Sequence, residues 1–109
     1  MQAFEVEQLQ KKQARSGRPY HEFLNVPSMS AGLYVLPAGS EDKQQPHTED
    51  EMYYVVHGRG KIRVGDEDQD VGPTSIIYVP AGVEHRFHSI IFDLTILVFF
   101  APAEYSQAK

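Results

Sequence analysis

Short runs of apolar and β-branched residues, separated by Gly and Pro, make up most of the chain. Only the beginning differs, because residues 6–16 are rich in Glu, Gln, Lys and Ala, which favour a helix. Gly17 and Pro19 mark the end of this helix. From Tyr20 onward there is no helical period, and strand-like runs recur between turns. Short strands at this spacing, with no helices between them, are typical of an antiparallel β-barrel or sandwich.

The same pattern predicts where the individual elements lie. Turns are predicted at the runs "LPAGSED", "HGRG", "GDEDQDVGP", "VPAGVE" and "IIFD", which contain Gly, Pro or Asp. We therefore predict an N-terminal helical or extended segment over residues 1–19 and a single all-β domain over residues 20–109. The predicted strands are Tyr20–Val26, Met29–Leu36, 51–57, 61–64, 75–79, 84–89 and 94–100.

The composition narrows the classes of function. A chain of 109 residues with 41% hydrophobic residues suits one globular domain with a single core. The formal net charge of −5 gives no support to nucleic-acid or membrane-surface binding, since both favour basic patches. The run "LTILVFFAP" is far shorter than the roughly 20 residues that span a bilayer, and the N-terminus has no apolar core of a signal peptide. There is no Cys, so disulfides and thiolate ligands are excluded. We therefore expect a cytoplasmic protein.

The acidic run at residues 65–70 invites comparison with the calcium-binding loop of an EF-hand. Such a loop requires Gly at its sixth position and Glu at its twelfth, and this chain has Val71 and Ile77 there. We therefore interpret the run as the solvated tip of a turn.

Polar side chains interrupt the strand-like runs in two places. Gln45, His47 and Glu51 occur within seven positions, and His85 follows 34 positions after Glu51. Two imidazoles and one carboxylate, if they converge, suit a divalent transition metal such as Fe, Mn, Ni, Zn, Co or Cu. Gln45 offers a weaker, neutral oxygen ligand. The alternative is that these are separate surface residues near turns.

Strand alternation predicts which neighbours share a face with these candidates. Tyr53 falls on the same face as Glu51, and Phe87 on the same face as His85, whereas His88 points away. The hydroxyl of Tyr53 could donate a proton to a substrate oxygen, which makes Tyr53 the candidate catalytic residue. Plain core packing is the alternative for Tyr53 and Phe87.

Other polar residues in this region are expected to be solvated. Glu49 and Asp50 are predicted to lie on the loop between strands, and His57 at an exposed strand end. Arg59 and Arg63 are either surface residues or contacts for an anionic substrate.

The spacing resembles the first motif of the cupin superfamily, which reads Gly, His-x-His, three or four residues, Glu, six residues, Gly. His47 matches the second histidine of the motif, and Glu51 is followed by six residues and then Gly58. Gly39 stands upstream of these residues. Gln45 occupies the place of the first histidine.

The second cupin motif reads Gly, Pro-x-Gly, two residues, His, three residues, Asn. The sequence "PAGVEH" supplies Pro80, Gly82 and His85, with Gly72 upstream. Ser89 stands where Asn is expected. Both motifs occur in order.

The resemblance covers roughly residues 30–100 and implies a small cupin with a double-stranded β-helix, or jelly-roll barrel. It implies that His47, Glu51 and His85 bind a divalent metal, with Gln45 as a weakened fourth position.

Two function classes remain open. One is a metal-dependent enzyme of dioxygenase-like or isomerase type that acts on a small polar molecule, and the other is a non-catalytic ligand-binding or sensor protein, with or without metal. An epimerase-type cupin is a weaker option, because no His–Asp base pair can be located.

The strand predicted at residues 94–100 is apolar on both faces, so its outer face requires cover. In cupins a neighbouring subunit commonly supplies this cover, sometimes by exchange of an N-terminal strand such as Tyr20–Val26. We therefore expect a homodimer that binds a small-molecule substrate or ligand.

Overall fold

Residues 1–106 are described by the computed structural model, and they form one helix followed by six strands. The helix and the first two strands have the bounds that the sequence predicts, and the prediction of an all-β fold with a short N-terminal helix is confirmed. Among these residues, no helix has the length and apolar character needed to cross a membrane. The elements are α1 (Val6–Ser16), β1 (Tyr20–Val26), β2 (Met29–Leu36), β3 (Asp50–Val64), β4 (Glu67–Val71), β5 (Ile76–Val79) and β6 (His85–Ala101).

Strands β3 and β6 are longer than predicted, because the predicted turns at residues 57–60 and 90–93 lie inside them. Gly58 marks a bulge in a continuing strand, since the register of the β3–β6 pairing shifts on both sides of it. Its φ of 99° is left-handed, and a Cβ there would lie 2.2 Å from the carbonyl oxygen of Asp93. Glycine therefore allows two backbones to approach closely at this bend. In the sequence, such a glycine looks the same as a glycine in a turn.

The acidic run was also misassigned, because most of it forms the edge strand β4. Only Gly65 and Asp66 form the turn, and β4 then pairs with the second half of β3. The first four residues of β4 are exposed, so the sequence contains no apolar alternation that would indicate a strand. Cross-strand contacts support the pairing instead, including Arg63 Nη1 to Asp68 Oδ2 at 2.9 Å.

The six strands form one antiparallel sheet in the order β1-β2-β6-β3-β4, and β5 pairs with the first half of β3. Strands β3 and β6 pair along most of their length, from Glu51 opposite Phe100 to Val64 opposite His85. The bulges let the sheet bend around one core, and α1 contacts β1 and β2. The apolar side chains of this core include Tyr53, Val55, Ile62, Val79, Phe87, Leu94, Ile96, Val98 and Phe100.

The predicted alternation in the two site-bearing strands is confirmed. Glu51 and Tyr53 are buried, whereas Met52 between them is exposed. His85 is likewise buried, and the adjacent Arg86 is exposed. The second residue of β3 and the first residue of β6 therefore direct polar side chains toward the interior.

Candidate metal centre and adjoining cavities

Three of the four predicted metal ligands come together in the interior. His47 comes from the loop before β3, Glu51 from the start of β3, and His85 from the start of β6. One potential ligand atom from each residue lies within 4.8 Å of the other two. Residues that are 34 positions apart in sequence are thus brought to one point by the antiparallel sheet.

The imidazole of His85 has a defined orientation. Its Nδ1 lies 2.9 Å from the carbonyl oxygen of Val83, an acceptor that requires the proton to be on Nδ1. Its Nε2 lies 3.1 Å from Glu51 Oε1, and both side chains are only 1% exposed. Burial lowers the pKa of His85, but the Glu51 carboxylate and the Val83 carbonyl outweigh it and raise the pKa above its usual value. The electrostatic field at Nε2 therefore favours a positive charge.

The buried atoms of this pair lack hydrogen-bond partners. Within residues 1–106, neither oxygen of Glu51 nor Nε2 of His85 forms a hydrogen bond, so the 3.1 Å approach lacks hydrogen-bond geometry. Buried polar atoms without partners are costly, and a carboxylate is the most costly of them. Two ligands at about 2.1 Å from one metal lie about 3.0 Å apart when they are at right angles. The residues present therefore fit a divalent metal, which would satisfy all three atoms.

The His47 imidazole lies between two polar groups. Its Nδ1 is 3.5 Å from Glu104 Oε2, and its Nε2 is 3.3 Å from Gln44 Oε1. Burial lowers the pKa of His47, and this effect outweighs the opposing effect of the Glu51 carboxylate. His47 is therefore neutral at neutral pH, which is the form that binds metals. For the same reason its contact with Glu104 is not an ion pair at that pH.

Gln45, the fourth predicted ligand, has an exposed side chain that forms no hydrogen bond within the described part of the chain. The preceding residue, Gln44, is half-buried and reaches the site instead. Its Oε1 accepts a hydrogen bond from the Tyr53 hydroxyl at 3.2 Å, and its Nε2 donates to Asp42 Oδ2 at 2.8 Å. The structure thus places Gln44, and not Gln45, beside His47.

Asp42 is a buried residue that the sequence did not single out. Its carboxylate accepts hydrogen bonds from the Tyr34 hydroxyl at 2.7 Å and from the backbone N–H of Phe87 at 2.9 Å. Together with the Gln44 amide, these contacts hold the loop of residues 37–49 against β2 and β6. An Asp in a loop with Gly, Ser and Pro resembles an ordinary turn residue, so no sequence signal distinguished it.

Tyr53 lies inside the site, on the face that alternation predicts. It is fully buried, and its ring centroid is 6.1 Å from that of His85. Burial first, and the nearby Glu51 carboxylate second, raise the pKa of Tyr53 well above its usual value. Its hydroxyl is therefore a neutral hydrogen-bond donor across the physiological pH range.

The prediction that Glu49 is solvated was wrong. Glu49 is 1% exposed, and its Oε1 accepts the backbone N–H of Tyr105 at 2.9 Å. The reason is that the chain folds back over this loop after β6, an arrangement no local pattern indicates. Asp50 and His57 are exposed, as predicted.

Two cavities adjoin the metal centre. One of about 400 Å³ reaches His47 and has aromatic walls, with Glu104 among its polar groups. The other, of about 330 Å³, reaches His85 and is lined by the exposed Arg63 and Arg86. Gln44, Gln45 and Pro46 line both cavities. Arg59, the other arginine considered as a contact for an anionic substrate, packs against Gly72 instead. The aromatic side chains of the larger cavity are Tyr20, Tyr34, Phe100 and Tyr105.

Comparisons with known proteins agree with this architecture. Residues 32–97 match the family model Cupin_2, described as a cupin domain, and this range contains all three candidate ligands. An uncharacterised protein of Streptomyces coelicolor is 48% identical over 104 residues, which cover 95% of this chain and 99% of that protein. A second uncharacterised protein, from Methanocaldococcus jannaschii, is 32% identical over 57 residues, which cover 51% of this chain and 46% of that protein.

Solved structures give the same result for the fold. TT1209 from Thermus thermophilus superposes with a TM-score of 0.75 at 24% identity, covering 94% of this chain and 99% of that one. KdgF from a Halomonas species superposes with a TM-score of 0.70 at 19% identity, covering 76% of each chain. The fold is therefore the cupin double-stranded β-helix, and the chain belongs to the cupin superfamily as a small protein of the Cupin_2 family.

Proposed function

We propose that this chain binds one divalent transition metal through His47, Glu51 and His85. The observation that supports this most directly is the burial, without hydrogen bonds among residues 1–106, of both Glu51 oxygens and of His85 Nε2. The Val83 carbonyl fixes the proton of His85 on Nδ1 and leaves Nε2 free as a ligand. His47 is already neutral, so it does not have to release a proton before it binds a metal.

We further propose that the protein is an enzyme of dioxygenase-like or isomerase type. A metal held by two imidazoles and a carboxylate would polarise substrate oxygens as a Lewis acid. If the metal were iron, it would instead support reaction with O₂. The chain itself contributes the neutral Tyr53 hydroxyl, which can donate a hydrogen bond to a substrate oxygen that replaces Gln44 Oε1 as its acceptor. The core residues around the site exclude water and hold Tyr53 in place.

The larger cavity is the best candidate for the substrate site. Its volume of about 400 Å³ lies within the range of small-molecule pockets, and it reaches His47 directly. Val98 and Phe100, at its base, are each 2% exposed. We therefore propose a small substrate with oxygen donors at the end near His47 and a flat apolar body against the aromatic walls.

Non-catalytic ligand binding is a second candidate function, and one observation favours it. The raised pKa of Tyr53 means that its hydroxyl stays protonated near neutral pH, so it can donate a hydrogen bond but does not act as a base. A reaction that begins with proton abstraction therefore needs a base other than Tyr53. Measurement of turnover decides between the two functions.

Metal analysis of protein purified without a metal-affinity tag tests the proposed centre. We expect about one metal per chain after incubation with Mn²⁺, Fe²⁺, Ni²⁺ or Zn²⁺, and its loss in His85→Ala. His88→Ala is the matched control, because His88 lies on the same strand but faces Asp68, with Nε2 and Oδ1 2.6 Å apart. A metal content below about a tenth per chain in the wild-type protein would disprove the proposal.

A thermal-shift screen of the metal-loaded protein against small oxygen-containing molecules tests the enzymatic proposal. Each molecule that raises the melting temperature is incubated with wild-type and His85→Ala protein, and both products and O₂ are measured. Conversion with O₂ uptake supports the dioxygenase type, and conversion without it supports the isomerase type. A molecule that binds and is recovered unchanged supports ligand binding and contradicts catalysis.

We also propose that two copies of the chain pair through the outer face of the sheet. Met52 lies between Tyr78 of β5 and Phe99 of β6 on that face, which is apolar across three strands. Met52, Ile76 and Tyr78 are each about half exposed or more. An exposed apolar patch of this kind is typical of a protein interface.

Light scattering at micromolar concentration tests the dimer. We expect twice the chain mass of 12.3 kDa for the wild-type protein and the single-chain mass for Ile76→Lys. Ile91→Lys is the control, because Ile91 is similarly exposed but lies at the bend of β6, away from this face. A wild-type particle of the single-chain mass would refute the proposal.

A further inference from the structure

We infer that Gln44 supplies a fourth metal ligand through its side-chain oxygen, in the role that the cupin motif would assign to position 45. The inference rests on the proposed metal centre formed by His47, Glu51 and His85, and it adds a residue that the motif does not contain. It also specifies the chemistry of the site, which would have two nitrogen and two oxygen ligands.

The orientation of the Gln44 amide follows from its partners. Gln44 Nε2 donates a hydrogen bond to Asp42 Oδ2 at 2.8 Å, and the same oxygen accepts the backbone N–H of Phe87 at 2.9 Å. The amide nitrogen must therefore face Asp42, and the amide oxygen must face the opposite way. On that side Gln44 Oε1 meets the hydroxyl of Tyr53 at 3.2 Å and Nε2 of His47 at 3.3 Å.

The distances agree with two neighbouring ligands of one metal. Ligand atoms at about 2.1 Å from a metal are separated by about 3.0 Å at right angles and about 3.4 Å at tetrahedral angles. The separation of 3.3 Å between Gln44 Oε1 and His47 Nε2 falls in this range. The separation of 3.1 Å between Glu51 Oε1 and His85 Nε2 falls in it as well.

The amide is held in place before any metal arrives. Asp42, which orients it, is itself fixed by the backbone N–H of Phe87 and by the hydroxyl of Tyr34. Because both partners of Asp42 belong to the barrel, little side-chain entropy remains to be lost when Gln44 binds a metal. Gln45, in contrast, is exposed and has no such support within the described residues.

His47 presents its Nε2 to the amide oxygen of Gln44, 3.3 Å away. When Nε2 binds a metal, the ring proton must reside on Nδ1. Nδ1 forms no hydrogen bond among residues 1–106, but it faces Glu104 Oε2 at 3.5 Å. A carboxylate beside the second nitrogen of a ligand histidine is a common support for this tautomer. Nε2 of His47 and Oε1 of Gln44 are thus adjacent potential metal ligands. A carboxylate lies beside the other nitrogen of each side chain, Glu104 beside His47 and Asp42 beside Gln44.

Two neighbouring glutamines allow a direct test. Mn²⁺ affinity is measured by titration calorimetry, and the visible spectrum of the Co²⁺ form reports the ligand set. We expect Gln44→Ala to weaken Mn²⁺ binding by roughly tenfold or more and to change the Co²⁺ spectrum. Gln45→Ala is the matched control and should retain both properties. Gln44→Leu should behave like Gln44→Ala, because it keeps most of the volume but has no oxygen.

The possible results separate this inference from the proposed metal centre. If wild-type protein binds no metal, the metal centre is refuted and the role of Gln44 with it. If wild-type protein binds Mn²⁺ and His85→Ala does not, while Gln44→Ala matches the wild type, only the role of Gln44 is refuted. Weaker binding with an unchanged Co²⁺ spectrum also refutes it, because Gln44 would then only position the loop.

Discussion

Replacing Glu104 with Gln should stabilise the metal-free protein above neutral pH, although Glu104 lies beside a histidine. The pKa of Glu104 is raised to about 7. Burial is the largest cause, and the nearby carboxylates of Glu22, Glu51 and Glu49 contribute the rest. His47 Nδ1 is 3.5 Å away but does not compensate, because burial lowers the pKa of His47 and keeps it neutral. The negative charge of Glu104 is therefore unfavourable in the folded state.

The size and sign of the effect follow from this pKa. A rise from 4.5 to about 7 corresponds to at most about 3.4 kcal/mol, and partial access of water reduces this to about 1.5 kcal/mol. Below about pH 4.5, Glu104 is protonated in the folded and unfolded states, so Gln should make no difference. Between pH 4.5 and about 7 the unfolded chain loses the proton first, and the wild-type protein loses stability relative to Glu104→Gln.

Thermal unfolding between pH 4 and pH 8.5, followed by circular dichroism with EDTA present, measures this difference. We expect the two melting temperatures to agree at the acidic end and Glu104→Gln to melt about 6 °C higher at pH 8. Glu41→Gln, at an exposed position, is the control and should show no such divergence. If Glu104→Gln is less stable than the wild type at pH 8, Glu104 forms a stabilising ion pair with a charged His47 and the reasoning fails.

Three further predictions concern the bound metal, Gly58 and Phe87. Mn²⁺ at a hundredfold excess over its dissociation constant should raise the free energy of unfolding by about 2.7 kcal/mol in the wild type. Glu51→Gln should lose this increase while its metal-free form is at least as stable as the wild type, because both carboxylate oxygens are buried without hydrogen bonds among residues 1–106. A loss of metal-free stability would contradict the view that the buried carboxylate is costly. In urea unfolding, Gly58→Ala should cost roughly 3 kcal/mol and Gly39→Ala roughly 1 kcal/mol, because both have left-handed φ but only the first meets another backbone. Equal costs would show that the close approach at residue 58 is easily relaxed. Phe87→Ala should cost about 3–5 kcal/mol by the same measurement, and a cost below about 1 kcal/mol would place Phe87 outside the core.

The strands could be predicted where one face is buried and the other is not. Along β3, the alternation of Glu51, Met52 and Tyr53 in sequence corresponds to buried, exposed and buried side chains in the structure. The same reasoning failed for β4, because an exposed edge strand has no apolar face to alternate. It also failed at Gly58, since glycine in a bulge and glycine in a turn look alike in sequence.

The candidate metal centre was predictable because its ligands either lie in strands or have a fixed spacing from them. Glu51 is the second residue of β3 and His85 is the first of β6, so their orientation follows from the alternation of each strand. Glu104 was not predictable, because it lies in the segment after β6 that returns across the barrel. Its place is set by a contact between its backbone N–H and Ser30 Oγ, 74 positions earlier in the chain.

Gln44 and Gln45 show why the motif alone is insufficient at this site. The cupin spacing assigns the ligand position to Gln45, but both residues lie in a loop where strand alternation does not apply. The orientation of Gln44 depends on Asp42, and that of Asp42 depends on the N–H of Phe87, 45 positions away. Such a chain of hydrogen bonds has no local signature, yet it determines which amide oxygen faces His47. Under the proposed role of Gln44, the loss of a motif histidine at position 45 therefore does not by itself remove the fourth ligand, because the preceding residue takes over the role.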